Sequence, residues 1–450
     1  MTCGTVYFKI RKGNYTMVNT RVLTGLMELI PEQQIAFDKM KRIIEDEYVA
    51  FGYTPIDTPV IERAEVLLAK AGGETEKQVY RFEKGDNDLA LRFDLTVPLA
   101  RYVADHYNDL TFPFRRSHIA KVYRGERPQK GRYREFYQCD IDVIGKDTLD
   151  VAYDAELPRV IYSIFKKLDV GKFTIRVNNR KVLKGFMRAL GVEGQSSEIL
   201  GILDKVDKLP KEEFLKLLNG LGLGSETVDK IVEFSALRGD AVTVIDSLVR
   251  LGITDEEFVT GLGELSEVTS LMAAMGIDPT YFAIDLSIVR GLDYYTGTIY
   301  ETTLDDYRQL GSICSGGRYE DLASHYTSFS LPGVGISIGL TRLFSQLLEN
   351  GLIKTDKKTI ADLVILPIAK EQLPEALSLA DALRAGGLSI ETYLNDAKFK
   401  TKMKYADKSG ATFAIIIGED EAATKSYTYQ NMTTGEKERL SIEELLARYA

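Results

Sequence analysis

Apolar side chains recur at helical spacing in the first strongly patterned segment of the chain. Between residues 32 and 47 they include Ile35, Ile43 and Ile44, and Gly52 follows shortly afterwards. This periodicity predicts an amphipathic helix that ends near the glycine. The next stretch, FGYTPIDTPVIE, contains prolines that cannot lie inside a helix, so we predict an extended strand at a sheet edge or an interface.

Strand patterns dominate from about residue 80 to residue 145. Three segments carry them: RFDLTV, HIAKVYRGE and REFYQCDIDVIG. The first predicts a strand with Asp94 and Thr96 on one face. The other two flank the polar loop GERPQKGRY and predict an antiparallel hairpin with a long tip.

Side-chain alternation places polar residues of the second hairpin strand on one face. That face holds Arg134, Phe136, Gln138, Asp140 and Asp142. Polar groups inside a sheet cost free energy unless they are paired, so a ligand on this face would account for them. For the hairpin alone, a solvated face of an antiparallel sheet is an equally good explanation.

The pattern changes between residues 186 and 275. Short apolar runs such as FLKLLNGLGL, DKIVEFSAL and VIDSLVRLGI are separated by acidic and glycine-containing turns, which predicts an inserted helical module. Strand patterns resume with GTIYETTLDD and GVGISIGL. Beyond the polar linker GLIKTDKKT, strands and helices alternate, which is typical of a small α/β domain.

These changes predict how the chain is divided into domains. Residues 1–185 and 276–352 form one domain, which is interrupted by the helical insertion at 186–275. Residues 353–360 form a linker, and residues 361–450 form the α/β domain.

Composition restricts the class of protein. The chain has 450 residues, of which 44% are hydrophobic and 27% charged, so disordered and fibrous classes are excluded and several packed domains are expected. Its first twenty residues lack the continuous apolar stretch of a signal peptide or membrane helix. We therefore predict a cytoplasmic protein without a membrane partner.

Cysteine and histidine usage gives no sign of a metal centre. Cys3, Cys139 and Cys314 lack CxxC spacing, and the three histidines form no metal-binding pattern. Neither a disulfide framework nor a protein-bound metal is predicted.

Charge is distributed unevenly along the chain. The formal net charge is -9, yet residues 115–134 contain eight Arg or Lys against one acid, Glu126. Five further lysines lie from Lys398 to Lys408. Local fields rather than net charge govern recognition, so both clusters are candidate sites for an anionic partner. The second cluster is also consistent with a solvated helix face.

Three further segments carry candidate chemistry. SIVRGLDYYTGTIYE contributes Arg290, Tyr294 and Tyr295, SICSGGRYEDL has paired glycines, and GVGISIGLTRLF leads into a helix with Arg342. Paired glycines let a backbone approach a ligand closely. Taken separately, Arg290 is also explained by a salt bridge to Asp293, the tyrosines by core packing and the glycines by a turn.

Together these segments resemble the histidyl-tRNA synthetases, which are class II aminoacyl-tRNA synthetases. RGERPQKGRYREF resembles class II motif 2, GVGISIGLTRLF resembles motif 3, and FGYTPIDTPVIE resembles the motif 1 dimer strand. VRGLDYYTGTIYE and SGGRYEDL resemble the two histidyl signatures, and the resemblance runs from about Arg21 to the C-terminus. It implies an α+β fold: an antiparallel-sheet catalytic domain with a helical insertion, plus a C-terminal α/β anticodon-binding domain. It also implies a homodimer.

The resemblance implies a two-step reaction. L-Histidine and ATP would give histidyl-adenylate and pyrophosphate, and the histidine would then pass to the 3′-terminal adenosine of tRNA(His). Mg²⁺ is expected with ATP because the phosphoryl charge requires it, and no tightly bound cofactor is implied.

The same resemblance implies roles for individual residues. ATP would be bound by Arg124 at the α-phosphate, Glu126 and Phe136 at the adenine, and Arg132 and Arg342 at the outer phosphates. Histidine would be bound by Asp94, Thr96 and Gln138 at the α-amine, and by Asp142, Tyr294 and Tyr295 at the ring. Catalysis would rest on Arg290 together with Arg124. The tRNA would be contacted by Arg127, Gln129, Lys400 and Lys404.

The chain departs from the family pattern at Thr341, where class II enzymes usually have Glu, which puts a metal or phosphate contact in doubt. Cys314 and Ser315 before the glycine pair, and Asp94 where many bacterial members have Glu, affect finer geometry. A noncatalytic alternative is a synthetase-like regulatory subunit of ATP phosphoribosyltransferase that senses histidine. Such proteins usually lack the terminal domain and the arginine signature, both of which this sequence has. A pseudo-synthetase that binds uncharged tRNA is a further alternative.

Overall fold

The computed structural model describes residues 19–69, 74–127, 131–206, 209–289, 295–320 and 323–449. The first part of the chain forms α1 (Pro31–Ala50), β1 (Thr54–Pro55), β2 (Ile61–Arg63), α2 (Ala64–Leu68), α3 (Glu74–Gln78), β3 (Arg81–Lys84), β4 (Asn87–Leu91), α4 (Thr96–Asp105), β5 (Phe114–Tyr123), β6 (Glu135–Ile144), α5 (Ala152–Leu168) and β7 (Phe173–Asn179). A mainly helical part follows, with α6 (Arg180–Ala189), α7 (Ser196–Leu203), α8 (Lys211–Asn219), α9 (Ser225–Ser235), β8 (Arg238–Gly239), α10 (Ala241–Arg250) and α11 (Glu256–Ala274).

Strands then return with β9 (Phe282–Asp285), β10 (Thr298–Leu304), β11 (Cys314–Tyr319), β12 (Gly333–Ile338) and α12 (Leu340–Glu349). The C-terminal part contains β13 (Leu363–Pro367), α13 (Leu373–Ala385), β14 (Ile390–Thr392), α14 (Phe399–Ser409), β15 (Phe413–Ile417), α15 (Glu419–Thr424), β16 (Tyr427–Asn431), β17 (Lys437–Leu440) and α16 (Ile442–Tyr449).

Helix α1 confirms the first sequence prediction. Pro31 lies in its first turn, where a missing backbone N–H costs nothing. Its apolar face buries Phe37, Met40 and Ile44. The helix ends before Gly52, whose φ of 76° is a conformation that glycine adopts without strain.

Nine strands form the central sheet, in the order β1-β5-β6-β12-β11-β10-β7-β9-β8. The neighbours from β5 to β7 are all antiparallel. Strands β5 and β6 pair along their whole length, with Phe114 opposite Ile144 and Tyr123 opposite Glu135, which confirms the predicted hairpin. The proline segment forms β1, which pairs in parallel with β5 at the sheet edge, as predicted.

One predicted strand is wrong. In RFDLTV, β4 has already ended at Leu91, and Thr96 begins helix α4. Asp94 explains the change, because its Oδ1 accepts hydrogen bonds from the backbone nitrogens of Thr96 at 3.2 Å and Val97 at 3.0 Å. These bonds satisfy donors that a helix leaves free in its first turn, and Pro98 is tolerated there. Asp94 and Thr96 therefore belong to a helix start and not to a strand face.

The segment between β7 and β9 is mainly helical, in agreement with the predicted module. Its helices share a core with the central sheet, in which Phe186 stacks on Phe234 at 3.8 Å between ring centroids. The exact domain boundaries stay predictions. None of the helices in the described part of the chain combines the length and apolar character needed to cross a bilayer.

The C-terminal domain has a separate five-stranded sheet, in the order β14-β13-β15-β16-β17. Strands β13, β14 and β15 are parallel, as a strand-helix alternation requires. The alternation of strands and helices did not predict the antiparallel hairpin of β16 and β17, whose turn includes Gly435 at φ 77°. The described residues also form a three-stranded sheet, in the order β2-β4-β3. A mainly antiparallel central sheet with a helical segment, together with a separate domain of alternating strands and helices, confirms the α+β fold class.

A buried ion pair connects the central sheet to helix α5. Arg318 on β11 donates to the Asp154 carboxylate through Nε at 3.1 Å and Nη2 at 2.7 Å. It also donates to the carbonyl oxygens of Leu149 and Asp150, each at 2.9 Å. Asp154 is 1% and Arg318 4% exposed, so neither charge can be satisfied by water if the other is removed.

Replacing Asp154 with Asn should destabilise the protein by about 3 to 5 kcal/mol, because a buried guanidinium loses its counter-charge. Urea unfolding followed by circular dichroism measures this loss. Glu65→Gln is the matched control: its ion pair with Arg63 is exposed, and its loss should cost less than about 1 kcal/mol. Equal midpoint shifts for the two variants would contradict the structural role given to Asp154.

Candidate functional site

An open cavity of about 600 Å³ lies against the central sheet. It is bounded by the N-terminus of α4, the loop between β5 and β6, and residues of β6, β11 and β12. Nine of the residues singled out from the sequence line it: Asp94, Thr96, Arg124, Glu126, Arg132, Phe136, Gln138, Tyr295 and Arg342. These residues come from four separated segments of the chain, at 94–96, 124–138, 295 and 342, so their convergence is a result of the fold.

The other candidate residues are placed differently. Asp142 is buried beneath the cavity and does not line it. Arg127 is exposed in the β5–β6 loop. Gln129, Arg290 and Tyr294 lie outside the described residues.

Arg124 is held by aromatic rings at the cavity wall. Its guanidinium carbon lies 4.4 Å from the centroid of the Phe93 ring and 5.1 Å from that of Phe136. Its Nε donates to the Phe93 carbonyl at 3.2 Å, and its Nη1 lies 3.8 Å from Glu126 Oε1. Burial lowers the pKa of Arg124, while the carboxylates of Asp94 and Glu126 oppose that shift. The result is an oriented cation beside a flat aromatic surface.

Two further arginines face the same space. Arg132 Nη1 lies 3.4 Å from Glu126 Oε2. Arg342, in the first turn of α12, donates from Nη2 to the Leu310 carbonyl at 2.7 Å. Glu126 thus lies between Arg124 and Arg132, and the net charge of this end of the cavity is positive. Such an arrangement suits a ligand with several anionic oxygens.

The residue in motif 3 that departs from the family pattern has a structural contact. Thr341 is 2% exposed, and its hydroxyl accepts a hydrogen bond from the Tyr137 backbone nitrogen at 2.8 Å. It therefore connects α12 to β6 instead of facing the cavity. Among the described residues, no group of three or more His, Cys, Asp or Glu side chains is arranged to hold a metal ion.

Glycines allow the strands behind the cavity to approach closely. A Cβ at Gly317 would lie 2.9 Å from Tyr295 Cδ1 and 2.7 Å from the Thr298 carbonyl oxygen. A Cβ at Gly316 would collide with the Gly335 carbonyl, and a Cβ at Gly335 would collide with Asp142 Oδ1. The glycine pair is therefore required by packing around Tyr295 and β12, and it is more than a turn.

The face of β6 beneath the cavity is polar and buried, as side-chain alternation predicts. Gln138 donates from Nε2 to Ser337 Oγ at 2.8 Å. Asp142 accepts from the Tyr319 hydroxyl at 2.9 Å, and its Oδ2 lies 2.5 Å from Arg116 Nη2. The alternative of a solvated face is wrong, because Asp140 and Asp142 are 2% and 4% exposed.

Burial and neighbouring charges shift several pKa values on this face. Burial raises the pKa of Asp140 to about 7 and that of Asp142 to about 6, although the Arg116 guanidinium opposes both shifts. Burial lowers the pKa of His118 to about 4, a shift that Arg116 reinforces and Asp57 opposes.

Several residues of the site were not predicted from the sequence. Arg116 and His118 lie on β5 directly opposite Asp142 and Asp140, and Ser337 lies opposite Asp140 on the other side. The hairpin register, extended back from the polar loop, was the signal that could have identified Arg116 and His118. Ser337 depends on the pairing of β12 with β6, which the sequence alone does not give.

The C-terminal lysine cluster lies on helix α14. Lys400 and Lys404 are exposed and occupy one face. Lys402 is 2% exposed and donates from Nζ to the Pro367 carbonyl at 2.9 Å, so it is a structural residue. Phe399, Met403 and Ala406 pack into the domain, as the amphipathic pattern predicts.

Comparisons with known proteins agree with this architecture. Residues 25–343 match the family model described as histidyl-tRNA synthetase, and residues 362–449 match an anticodon binding domain. A histidine–tRNA ligase of Clostridium tetani is 50% identical over 431 residues, covering 96% of this chain and 98% of the relative. A histidine–tRNA ligase of Stenotrophomonas maltophilia is 49% identical over 428 residues, covering 90% of this chain and 92% of the relative.

Solved structures give the same result. The crystal structure of histidyl-tRNA synthetase from Nostoc sp. PCC 7120 has a TM-score of 0.90 and 38% identity, and the match covers 96% of this chain and all of that one. A Bacillus halodurans protein titled an ATP phosphoribosyltransferase regulatory subunit/histidyl-tRNA synthetase has a TM-score of 0.73 at 22% identity, covering 87% of this chain and 97% of that one, which is a likeness of fold alone. The match of both domain models, together with close relatives over nearly the full length, shows that the chain belongs to the histidyl-tRNA synthetase family of class II aminoacyl-tRNA synthetases.

Proposed function

We propose that this chain is a histidine–tRNA ligase whose cavity activates L-histidine with ATP and then esterifies tRNA(His). The observation that carries the proposal is the convergence of Arg124, Arg132 and Arg342 with Asp94 and Gln138 around one cavity. The arginines provide charge for a triphosphate, and the acid and amide provide acceptors for an ammonium group. Both are needed where a zwitterionic amino acid attacks the α-phosphorus of ATP.

ATP occupies the arginine-rich end of the cavity. Arg124 contacts the α-phosphate, because the rings of Phe93 and Phe136 fix its orientation. Glu126 and Phe136 hold the adenine, and Phe136 offers a flat apolar surface for stacking. Arg132, from the loop between β5 and β6, and Arg342, from helix α12, bind the outer phosphates.

The nucleotide enters as its magnesium complex, with the ion held chiefly by phosphate oxygens. The chain's contribution is the fixed set of guanidinium groups, which neutralise the remaining phosphate charge. Thr341 makes no contribution to the ion, because its hydroxyl is bound to the Tyr137 backbone.

Histidine occupies the opposite end of the cavity. Its α-amine binds Asp94, Thr96 and Gln138, which line the wall at the start of α4 and on β6. Its ring lies towards Tyr294, Tyr295 and the buried Asp142. A carboxylate that accepts a ring N–H favours histidine over side chains that lack this donor, because they cannot make that hydrogen bond.

Arg290 is the catalytic cation. It stabilises the charge that develops on the histidine carboxylate and the α-phosphate as the new bond forms, together with Arg124. In the second step the ribose hydroxyl of the tRNA attacks the adenylate carbonyl, the new ester bond replaces the bond to the phosphate oxygen, and AMP leaves. None of the described histidines lines the cavity, and the adenylate phosphate itself accepts the proton.

The tRNA contacts lie at two places. Arg127 and Gln129 in the loop between β5 and β6 reach the acceptor end. Lys400 and Lys404 on α14 bind the phosphates of the anticodon region, for which their exposure on one helix face is suited.

The regulatory-subunit alternative fits fewer observations. The chain carries the anticodon-binding domain, and relatives at about half identity over nearly the full length are named as ligases. The cytoplasm stays the proposed compartment, in agreement with the sequence prediction.

Amino-acid-dependent pyrophosphate exchange tests the activation step. With Mg²⁺ and ATP, histidine alone among the twenty amino acids should support exchange, and Arg290→Ala should reduce the rate by about a hundredfold or more. Arg250→Ala, at an exposed position of α10, is the matched control and should keep the rate. Histidine binding without pyrophosphate exchange in the unaltered protein would favour the alternative of a noncatalytic regulatory subunit that senses histidine.

The proposed tRNA contacts of Lys400 and Lys404 are tested by measuring amino-acid activation and transfer to tRNA separately. A Lys400→Ala, Lys404→Ala double variant should lower kcat/KM for tRNA by about tenfold and reduce its salt dependence. Pyrophosphate exchange, which uses no tRNA, should be unchanged. A double variant at Lys357 and Lys437, also exposed, controls for lost charge; an equal loss there would refute a specific role for α14.

We also propose a homodimer formed at the β1 edge of the central sheet. Exposed apolar residues follow this strand in sequence, among them Val60 at 38% and Ile61 at 49% exposure. Light scattering should give about twice the chain mass of 50.4 kDa. Ile61→Asp should shift the protein towards the monomer, whereas Val249→Asp, at an exposed valine of the helical insertion, should not. A fully active monomer would exclude the dimer.

A further inference from the structure

Four charged or titratable side chains form a buried floor beneath the histidine end of the cavity. Arg116 and His118 come from β5, and Asp140 and Asp142 come from β6 on the same face of the hairpin. All four are at most 4% exposed. The cavity-lining residues Gln138 and Ser337 are immediate neighbours of Asp140, along β6 and across to β12.

The two aspartates differ in their contacts. Both oxygens of Asp142 are engaged, one by the Tyr319 hydroxyl and the other by Arg116 at 2.5 Å. Asp140 interacts with the Ser337 hydroxyl, but its Oδ1 has no hydrogen-bond partner within the described residues. Asp140 is therefore the acid on the floor with a free acceptor atom.

Other atoms of the floor are also unsatisfied. Within the described part of the chain, Gln138 Oε1, His118 Nδ1 and all three guanidinium nitrogens of Arg116 make no aligned hydrogen bond. The contact of Arg116 with Asp142 is thus an ion pair without hydrogen-bond alignment. Because buried polar atoms are nearly always satisfied in a complete site, this floor is arranged for a polar ligand.

Among the described residues, the charges on the floor do not balance. Asp140 and Asp142 face one guanidinium, that of Arg116, and His118, which also faces Asp57 and Arg92, is neutral because burial lowers its pKa to about 4. Among the same residues Arg124 is the next cation, and it faces Asp94 and Glu126 as well as Asp140. The proposed place of Arg290 is at the histidine carboxylate and the α-phosphate. Tyr295, Tyr319 and Cys314 complete the titratable surroundings and are neutral, because burial raises the pKa of each.

We propose that Asp140 is a specificity-determining residue of the histidine pocket: with Asp142 it leaves the floor one positive charge short, and the bound substrate supplies that charge as an imidazolium ring. This inference rests on the proposed function, since it concerns the ring end of the same cavity. It assigns to substrate binding a carboxylate that the family resemblance did not single out, and it states the protonation state in which the ring is held.

Titration behaviour agrees with this geometry. Burial raises the pKa of Asp140 to about 7 and that of Asp142 to about 6, and the Arg116 guanidinium that both acids face only partly offsets these shifts. A bound imidazolium would lower both values and keep the carboxylates ionised. At about pH 8 the ring of free histidine is neutral, because its reference pKa is about 6.5, so binding must take up a proton from solvent.

Calorimetry of the full-length protein measures this proton directly. Histidine is titrated at about pH 8 in buffers of different ionisation enthalpy, and uptake of about one proton per site is expected. At about pH 6 most of the free rings already carry a proton and the floor also holds one, which the bound imidazolium displaces, so the uptake should disappear and a net release of protons is expected. Zero uptake at about pH 8 in the unaltered protein would overturn the proposal without any variant.

Asp140→Asn tests the residue itself. In the variant the single negative charge of Asp142 faces the single positive charge of Arg116, so proton uptake at about pH 8 should fall close to zero. The KM for histidine should rise more than kcat falls. Ser337→Ala is the matched control, because it removes a hydroxyl that contacts Gln138 and Asp140 but no charge. Its affinity for histidine will change, but its proton count should stay that of the unaltered protein.

A substrate analogue gives an independent measurement. Triazolylalanine has a ring of the same size that is far less basic than imidazole. The unaltered protein should prefer histidine over this analogue by about tenfold or more, and Asp140→Asn should reduce that preference. If pyrophosphate exchange with histidine is present but proton uptake and analogue preference are the same in both proteins, Asp140 has no such role and the proposed ligase function still stands. If histidine supports no exchange, the ligase function itself fails.

Discussion

Arg318 lies inside the central sheet, and its guanidinium connects β11 to the beginning of α5 through Asp154 and two carbonyl oxygens. A charge at this depth is stable only with a complete set of acceptors, so the position of β11 relative to α5 is fixed. The glycine pair Gly316 and Gly317 immediately precedes Arg318 on the same strand. Tyr295 packs against Gly317, and the ring end of the cavity therefore depends on a contact on the far side of the sheet.

The chain has a negative total charge, but it can bind an anion because several arginines are grouped around the cavity. Its net charge is -9, but Arg124 is enclosed by two aromatic rings and Arg342 is held by a carbonyl oxygen. Fixed cations of this kind need little reorganisation when charge appears near them. On the floor of the cavity the described carboxylates outnumber the cations, so this end of the cavity suits a positively charged group.

Much of the fold follows from periodicity. The length of the hairpin and its alternation gave the correct pairing of β5 with β6, and with it the polar face beneath the cavity. The resemblance brought together residues that do line one cavity, from Asp94 to Arg342. Periodicity failed at Asp94, where a capping carboxylate converts a β-branched stretch into a helix start. It also missed β16 and β17, whose short strands are defined by pairing with β15 and with each other.

The features that the sequence did not reveal are those that depend on contacts between distant strands. Arg116 is an example, because only the pairing of the strands shows that its guanidinium faces the Asp142 carboxylate. Gly335 is another, since a side chain there would collide with Asp142 Oδ1. A Cβ at position 335 would also lie 2.9 Å from the Ile141 carbonyl oxygen. Shortening the acid at 142 would therefore not by itself make room for a side chain at 335, because the backbone of β6 occupies the same space.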